Sequence, residues 1–282
     1  MTVEDVLTVI KVGGSVLQGP EAYRAVARLL AKRLARGPTW VVVSAAKGIT
    51  DTLDRFCVEP DSVEVERLRE RQERLSGVPC DAVLREELRD SCRDSTRRAR
   101  HRWLAWGERA STAALRTLLA RLGVDVPIVE LHAAIRLPKV RSALVPGFYL
   151  RDRAGDIRCL PRGGSDITAV LVAAALGSPR VNLWKDGGGI RAGPRGVVSE
   201  ADGAALLPWL TGTIRPLHPA ALRLAIRRGI DLILEDPFEH HAPTHVIAQA
   251  PIPASVPTSR EVGTPAFDHV APLVGHGIGS SE

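Results

Sequence analysis

Three short glycine turns carry the clearest chemical signal in this chain: Gly13-Gly14-Ser15, Gly163-Gly164-Ser165 and Gly187-Gly188-Gly189, with Lys11, Arg162 and Asp166 beside them. Glycine lets the backbone come close to a ligand, and N–H groups exposed at a helix start favour phosphate. Two familiar phosphate devices are missing, since there is no G-x-x-x-x-G-K-[ST] and no G-x-G-x-x-G after a strand. Ser, His and Asp, or Cys and His, do not fall into a nucleophile-and-base arrangement either. His240, His241 and His245 sit beside a predicted loop without a matching Cys or acidic set, and read as exposed histidines rather than a metal site. His218, ahead of Pro219, reads as a helix-start residue.

The elements that must position these residues follow from pattern. Val6–Val12 is an apolar, β-branched run that stops at Gly13-Gly14 and gives way to helical periodicity from Glu21 to about Arg36. The plan recurs in the strand Trp40–Val43 and a helix starting near Thr50 or Asp51. From about Asp61 to Gly123 the composition is helical, with breaks expected at Gly77-Val78-Pro79 and near Gly107. Strand-like segments return at Pro127–Leu131 and Phe148–Leu150. Arg162–Asp166 opens the apolar helix Ile167–Leu176, with Ser165 or Asp166 as its natural N-cap. Strands Val181–Trp184, Ile230–Leu234 and His245–Ile247 follow, with a helix over Pro219–Arg228. Buried strands alternating with helices predict an α/β fold whose mostly parallel sheet is covered on both faces. Ligands gather beyond the carboxyl ends of such strands, where the glycine turns should converge.

Length and composition bound the rest. With 282 residues, 45% apolar and 25% charged, the chain is one large domain or two small ones, not a disordered, collagen-like or disulfide-stapled one. Its longest apolar runs, such as Ala169–Leu176, fall short of the roughly 18 residues of a membrane span, and the acidic start Met1–Asp5 is unlike a secretory leader. Cys57, Cys80, Cys92 and Cys159 contain no C-x-x-C pair and are expected to be reduced thiols in a cytoplasm. The net charge of +6 raises nucleic acid as a partner, but the twelve arginines between Arg67 and Arg109 are interleaved with eight acidic residues, which describes a solvated helical face. No nucleic-acid partner is expected, and a site for small anions suits the basic balance. A catalytic domain over residues 1–250 and a loosely ordered tail over 251–282 complete the expectation, because the last 32 residues hold five prolines, four glycines and little periodicity.

Seven segments then combine into a resemblance: Lys11-Val12-Gly13-Gly14-Ser15, Val42–Asp51 with Ser44-Ala45-Ala46-Lys47-Gly48-Ile49-Thr50, Gly107-Glu108-Arg109-Ala110-Ser111, Val145-Pro146-Gly147-Phe148, Arg162-Gly163-Gly164-Ser165-Asp166, Trp184-Lys185-Asp186 and Leu217-His218-Pro219-Ala220. In order and spacing the chain resembles the catalytic domain of aspartate kinases, within the amino-acid-kinase superfamily, from about residue 7 to 248. The resemblance implies a three-layer αβα sandwich and transfer of the ATP γ-phosphoryl group to the side-chain carboxylate of L-aspartate, with ATP and Mg2+ as cofactors and a homodimer as assembly. A carboxylate acceptor is already a nucleophile at neutral pH, so no general base is needed. The obstacle is bringing two anions together, which calls for positioning and charge neutralisation.

Carried over by position, Lys11 is expected to neutralise the transferring phosphoryl group, Gly13-Gly14-Ser15 to donate N–H groups to it, and Asp166 to orient that lysine or the metal. Glu108 is expected to pair with the substrate ammonium and Arg162 with its α-carboxylate in a forked contact, with Thr50 and Phe148 at other substrate positions. Lys185 and Asp186 fall at the nucleotide site, while Trp184 reads as core. Arg215 stands where the family has a second phosphate-facing lysine, Pro161 replaces a glycine, and the nucleotide segment Lys185–Arg195 is one residue short and lacks the family's tyrosine and second aspartate. The paired ACT regulatory domains of the family are not expected here. The alternatives are a kinase of the same fold for another amino acid or small carboxylate, and a catalytically silent subunit that binds nucleotide or a partner enzyme.

Overall fold

Strands β1 (Thr8–Val12) and β2 (Thr39–Val43) are almost wholly buried because each lies inside a parallel sheet with helices on either face. The computed structural model describes residues 7–55, 62–92, 96–191, 196–210 and 217–248. A one-turn 3-10 helix at Gly14–Val16 and helix α1 (Pro20–Arg36) lie between β1 and β2. Four helices follow: α2 (Ile49–Arg55), α3 (Ser62–Ser76), α4 (Ala82–Cys92) and α5 (Arg97–Arg121). Next come β3 (Ala143–Pro146), β4 (Tyr149–Arg151), β5 (Ile157–Cys159), α6 (Gly164–Leu176), β6 (Arg180–Trp184), β7 (Glu200–Asp202), α7 (Gly203–Leu206), α8 (Pro219–Arg228), β8 (Asp231–Glu235) and β9 (Thr244–Ile247).

The main sheet has seven strands in the order β3-β2-β1-β6-β8-β9-β7, parallel except where β9 runs against β8. Its two faces seed separate cores. Ile10, Val12, Val41 and Val43 pack with Tyr23 and Leu30 of α1, Leu68 of α3, Leu88 of α4 and Trp103 and Leu115 of α5. Val9, Trp40, Val42, Val181 and Leu183 pack with Ile167 and Val170 of α6 and Leu222 and Leu224 of α8. The architecture is therefore the expected three-layer αβα sandwich. Helix α6 can be apolar all round because it is buried from Gly164 to Ala173. Among the described residues no helix is long and apolar enough to cross a membrane.

Several sequence expectations give way. Gly107 does not break a helix but sits inside the 25-residue α5. A Cβ there would lie 2.8 Å from the Ala45 Cβ and 2.9 Å from Ile49 Cγ2, so the glycine serves close packing of α5 on α2 and the loop before it. Neither Ser165 nor Asp166 caps α6, because Gly163, with φ of 83°, takes that position and Asp166 falls in the first turn. Pro127–Leu131 forms only an isolated bridge, Ile128 to Leu144, and the edge strand is β3, which ends on Pro146 where an absent N–H is harmless. The arginine-rich stretch is a solvated face: Arg67, Arg69 and Arg74 of α3 pair with Glu64, Glu66, Glu70 and Glu73 of the same helix. The proposed tail, 251–282, lies outside the described residues.

Candidate active site

Alternation along neighbouring strands puts two ammonium groups together. On β1, Val9 faces the α6 layer, so Lys11, two residues on, shares that face; on β6, Val181 and Leu183 face it, so Lys185 continues the row just past the strand end. Lys11 pairs in register with Leu183 of the adjacent parallel strand. The first turn of α6 meets them with Asp166, whose Oδ1 lies 3.0 Å from Lys11 Nζ and whose Oδ2 lies 3.1 Å from Lys185 Nζ. The His218 N–H, at the start of α8, donates to the same Oδ2 at 3.2 Å, and the His218 ring accepts from Ala220 N–H as the cap of that helix. All three side chains are largely buried. Burial alone would raise the Asp166 pKa, but the two lysines outweigh it and hold the carboxyl well below the usual range. Burial also lowers the pKa of Lys185, against the opposing pull of Asp166. Two cations around one anion leave an uncompensated positive charge in a largely dry place, which favours an anionic ligand.

The opposite wall comes from the other helical layer. Glu108 on α5 is 3% exposed, and its carboxyl takes N–H support from Ala45 while Oε2 has no hydrogen-bond partner among the described residues. Burial pushes its pKa up to about 8, so the group is a neutral acid at pH 7. Ser111, one turn along α5, accepts from Ala46 N–H at 3.1 Å and from Tyr23 Oη at 2.9 Å, which fastens the Ser44–Gly48 loop to α5. A Cβ on Gly14 would collide with the Ala45 carbonyl oxygen, so this loop and the turn after β1 touch backbone to backbone.

Between these walls lies a cleft of about 760 Å3. It brings together Lys11, Gly14, Ser15, Thr50, Glu108, Phe148, Arg162, Asp166 and Lys185 of the sequence-derived set. Phe148 holds φ of 69°, a conformation that a bulky residue adopts only under constraint, with its N–H on Thr168 Oγ1 at 3.1 Å. Arg162 is an exposed residue of the rim, where its guanidinium engages Asp51 and, at 3.3 Å, Asp54. Gly13 and Asp186 do not line the cleft but brace it: Gly13 N–H donates to the Trp184 carbonyl at 2.9 Å, and Asp186 N–H to Ser15 Oγ at 3.0 Å. Arg215 lies outside the described residues. Sequence reasoning missed Gln18, which accepts from Lys47 at 3.3 Å and donates to the Asp186 carboxylate at 3.2 Å, joining two loops across the cleft mouth. No motif flags Gln18; Lys47 stands in a motif segment without a role of its own.

The profile of the amino acid kinase family matches residues 6–236. The chain belongs to that family. Among curated relatives, the aspartokinase of Rickettsia felis is 26% identical over 234 residues, covering 80% of this chain and 57% of that protein. The aspartokinase of Mycobacterium tuberculosis is 33% identical over 190 residues, covering 65% of this chain and 42% of its own length. This family member thus spans about half the length of the curated relatives it matches. A crystal structure of Escherichia coli aspartokinase III in complex with aspartate and ADP superposes with a TM-score of 0.71 at 20% identity, covering 86% of this chain and 65% of that one, which shows a shared fold.

Proposed function

We propose that this amino acid kinase transfers the γ-phosphoryl group of ATP to the side-chain carboxylate of L-aspartate, giving 4-phospho-L-aspartate. The observation that carries the reading is the Lys11–Asp166–Lys185 cluster facing Glu108 across one cleft. An amino-acid acceptor and a polyphosphate need one acidic group for an ammonium and surplus cations for phosphate, and the cleft offers both. The R. felis and M. tuberculosis aspartokinases are relatives of this chain, and the E. coli relative carries aspartate and ADP in the same fold.

The donor set fits a nucleotide's phosphates, because the lysine pair keeps a net positive charge and the turn at Gly14-Ser15 presents backbone at its edge. ATP, when bound, supplies the phosphoryl group. The residues do not fit a protein-held Mg2+: among the described residues no three His, Cys, Asp or Glu converge, and Asp166 is already occupied by two ammonium groups and an N–H. Mg2+ belongs to this reading only as the counter-ion that ATP carries, and no step is derived through it.

Glu108, once ionised, holds the substrate ammonium, and Arg162 exchanges its exposed aspartate partners for the α-carboxylate at little cost. Thr50 and Phe148 bound the acceptor's side. Lys11 and Lys185, aimed by Asp166, screen the repulsion as the acceptor carboxylate oxygen bonds to phosphorus and the bridging oxygen leaves on ADP. We place Lys185 at the phosphoryl group itself rather than at the nucleotide periphery, because it shares Asp166 with Lys11. Assembly as a homodimer in a reducing cytoplasm belongs to the same reading, in keeping with the free thiols of Cys80 and Cys159. Purified protein given ATP, Mg2+, aspartate and hydroxylamine should yield aspartyl hydroxamate, and Lys11→Ala should not; absence of hydroxamate from the wild type overturns the proposal, and a hydroxamate formed only from another carboxylate in the same assay moves it to that acceptor.

A further inference from the structure

A second cavity of about 720 Å3 opens on the far side of α5, between the α3–α4 connection and the segment around Ile128. Helix α5 turns Glu108 to the cleft, Ser111 to the loop that walls it, and Arg109, Ala113, Arg116 and Thr117 to this cavity. The volume is that of a small-molecule site. Its floor is apolar, with Val78, Leu84 and Ala114 buried there.

Two unmet polar demands mark the walls. Gln72, only 2% exposed, lines the cavity; its Nε2 donates to Tyr23 Oη at 3.2 Å, but its amide oxygen has no hydrogen-bond partner among the described residues. The Tyr23 hydroxyl spends its one hydrogen on Ser111 Oγ and so can only accept from Gln72, which makes the unpartnered end the amide oxygen, an acceptor in need of a donor. A buried orphan of this kind is costly and calls for a partner. The charged groups divide unequally. Arg109 is taken by Glu87 and by Glu130 at 3.2 Å, Glu130 is shared with Arg151 and Tyr149, and Asp81 caps α4 through Val83 N–H at 2.8 Å. Arg116 and Arg121 are exposed and enter no ion pair among the described residues. Glu130 is neutralised and exposed Asp81 keeps its charge, but the two unpaired guanidinium groups outnumber it.

We infer that this cavity is a second ligand site for a small amphipathic organic anion, one that sets a carboxylate, sulfonate or phosphate against Arg116 and Arg121, an apolar body on Val78 and Leu84, and a hydrogen-bond donor toward Gln72. The inference does not depend on the reaction proposed for the cleft. Its test uses 1-anilinonaphthalene-8-sulfonate, which has the anion, the apolar rings and an N–H donor, titrated by fluorescence and calorimetry into the full chain. One saturable, salt-sensitive site per chain is expected. Ala113→Trp, which fills the cavity, and Arg116→Glu with Arg121→Glu, which reverses its charge at exposed positions, should each weaken binding about tenfold or more while leaving the thermal melt two-state. Lys11→Ala, in the cleft, should leave binding unchanged. Multiple weak sites, no binding, loss of binding in Lys11→Ala, or retention in either cavity variant would overturn the inference, whatever the hydroxamate assay shows.

Discussion

Glu108→Gln separates what burial does to this carboxyl from what the substrate asks of it. Burial raises its pKa from 4.5 to about 8, so between those values the folded protein keeps a proton that the unfolded chain releases. Stability of the ligand-free protein therefore falls as pH rises through that window, by at most about tenfold in the folding constant for each pH increment of one, on the order of 5 kcal/mol across the whole of it. Glutamine keeps the shape and has no charge to bury. The variant should melt close to the wild type at pH 5 and increasingly above it by pH 8.5, with a gap on the order of 10 °C if no water enters to relieve the charge. Catalysis should move the other way. A substrate ammonium needs the ionised form, so aspartate affinity of the wild type should strengthen roughly tenfold for each such increment as pH approaches 8 from below, with proton release on binding. The variant should lose that dependence and about a hundredfold in kcat/KM for aspartate, with little change in KM for ATP. Melts in several buffers and hydroxamate kinetics across the same range decide the matter. A variant whose stability follows the wild type's pH slope would refute the buried neutral acid, and an unchanged aspartate KM would refute the ammonium contact.

The cluster opposite makes its own demands. Asp166→Asn leaves two buried ammonium groups without a counter-charge and should cost about 3–5 kcal/mol in urea unfolding at pH 7; because Asp166 is held below the ordinary carboxylate range, that difference is full above about pH 4 and should shrink on further acidification. Lys185→Met keeps the stem and removes the charge, so kcat should fall roughly a hundredfold or more with the aspartate KM nearly unmoved; a raised ATP KM at unchanged kcat would return Lys185 to the nucleotide periphery. Gly107→Val drives a Cβ against Ala45 and Ile49 and should lower the urea stability by about 1–3 kcal/mol, and it should raise the aspartate KM as well, because the displaced loop carries the Ala45 N–H that supports Glu108.

What is legible in the sequence and what is not divide along the range of the interactions. Glycine turns at a strand end or a helix start are local, and they point to Lys11, Arg162 and Asp166 without knowledge of any contact, whereas Lys185 enters through the family resemblance. Strand alternation holds more: Val181, Leu183 and Lys185 fall on one face as Val9 and Lys11 do, which already places the second lysine beside the first if β6 neighbours β1. That adjacency is tertiary, and without it position alone assigns Lys185 to the nucleotide. The same limit misleads at Gly107, where a glycine that admits another backbone is indistinguishable in sequence from one that ends a helix, and at Ser165-Asp166, where good capping residues are overruled by a left-handed Gly163. In both places the local rule fails beside the cleft. Asp166 is free to bridge two lysines because it does not cap its helix, and Glu108 reaches the cleft because the residue before it has no side chain to hold α5 away from Ala45.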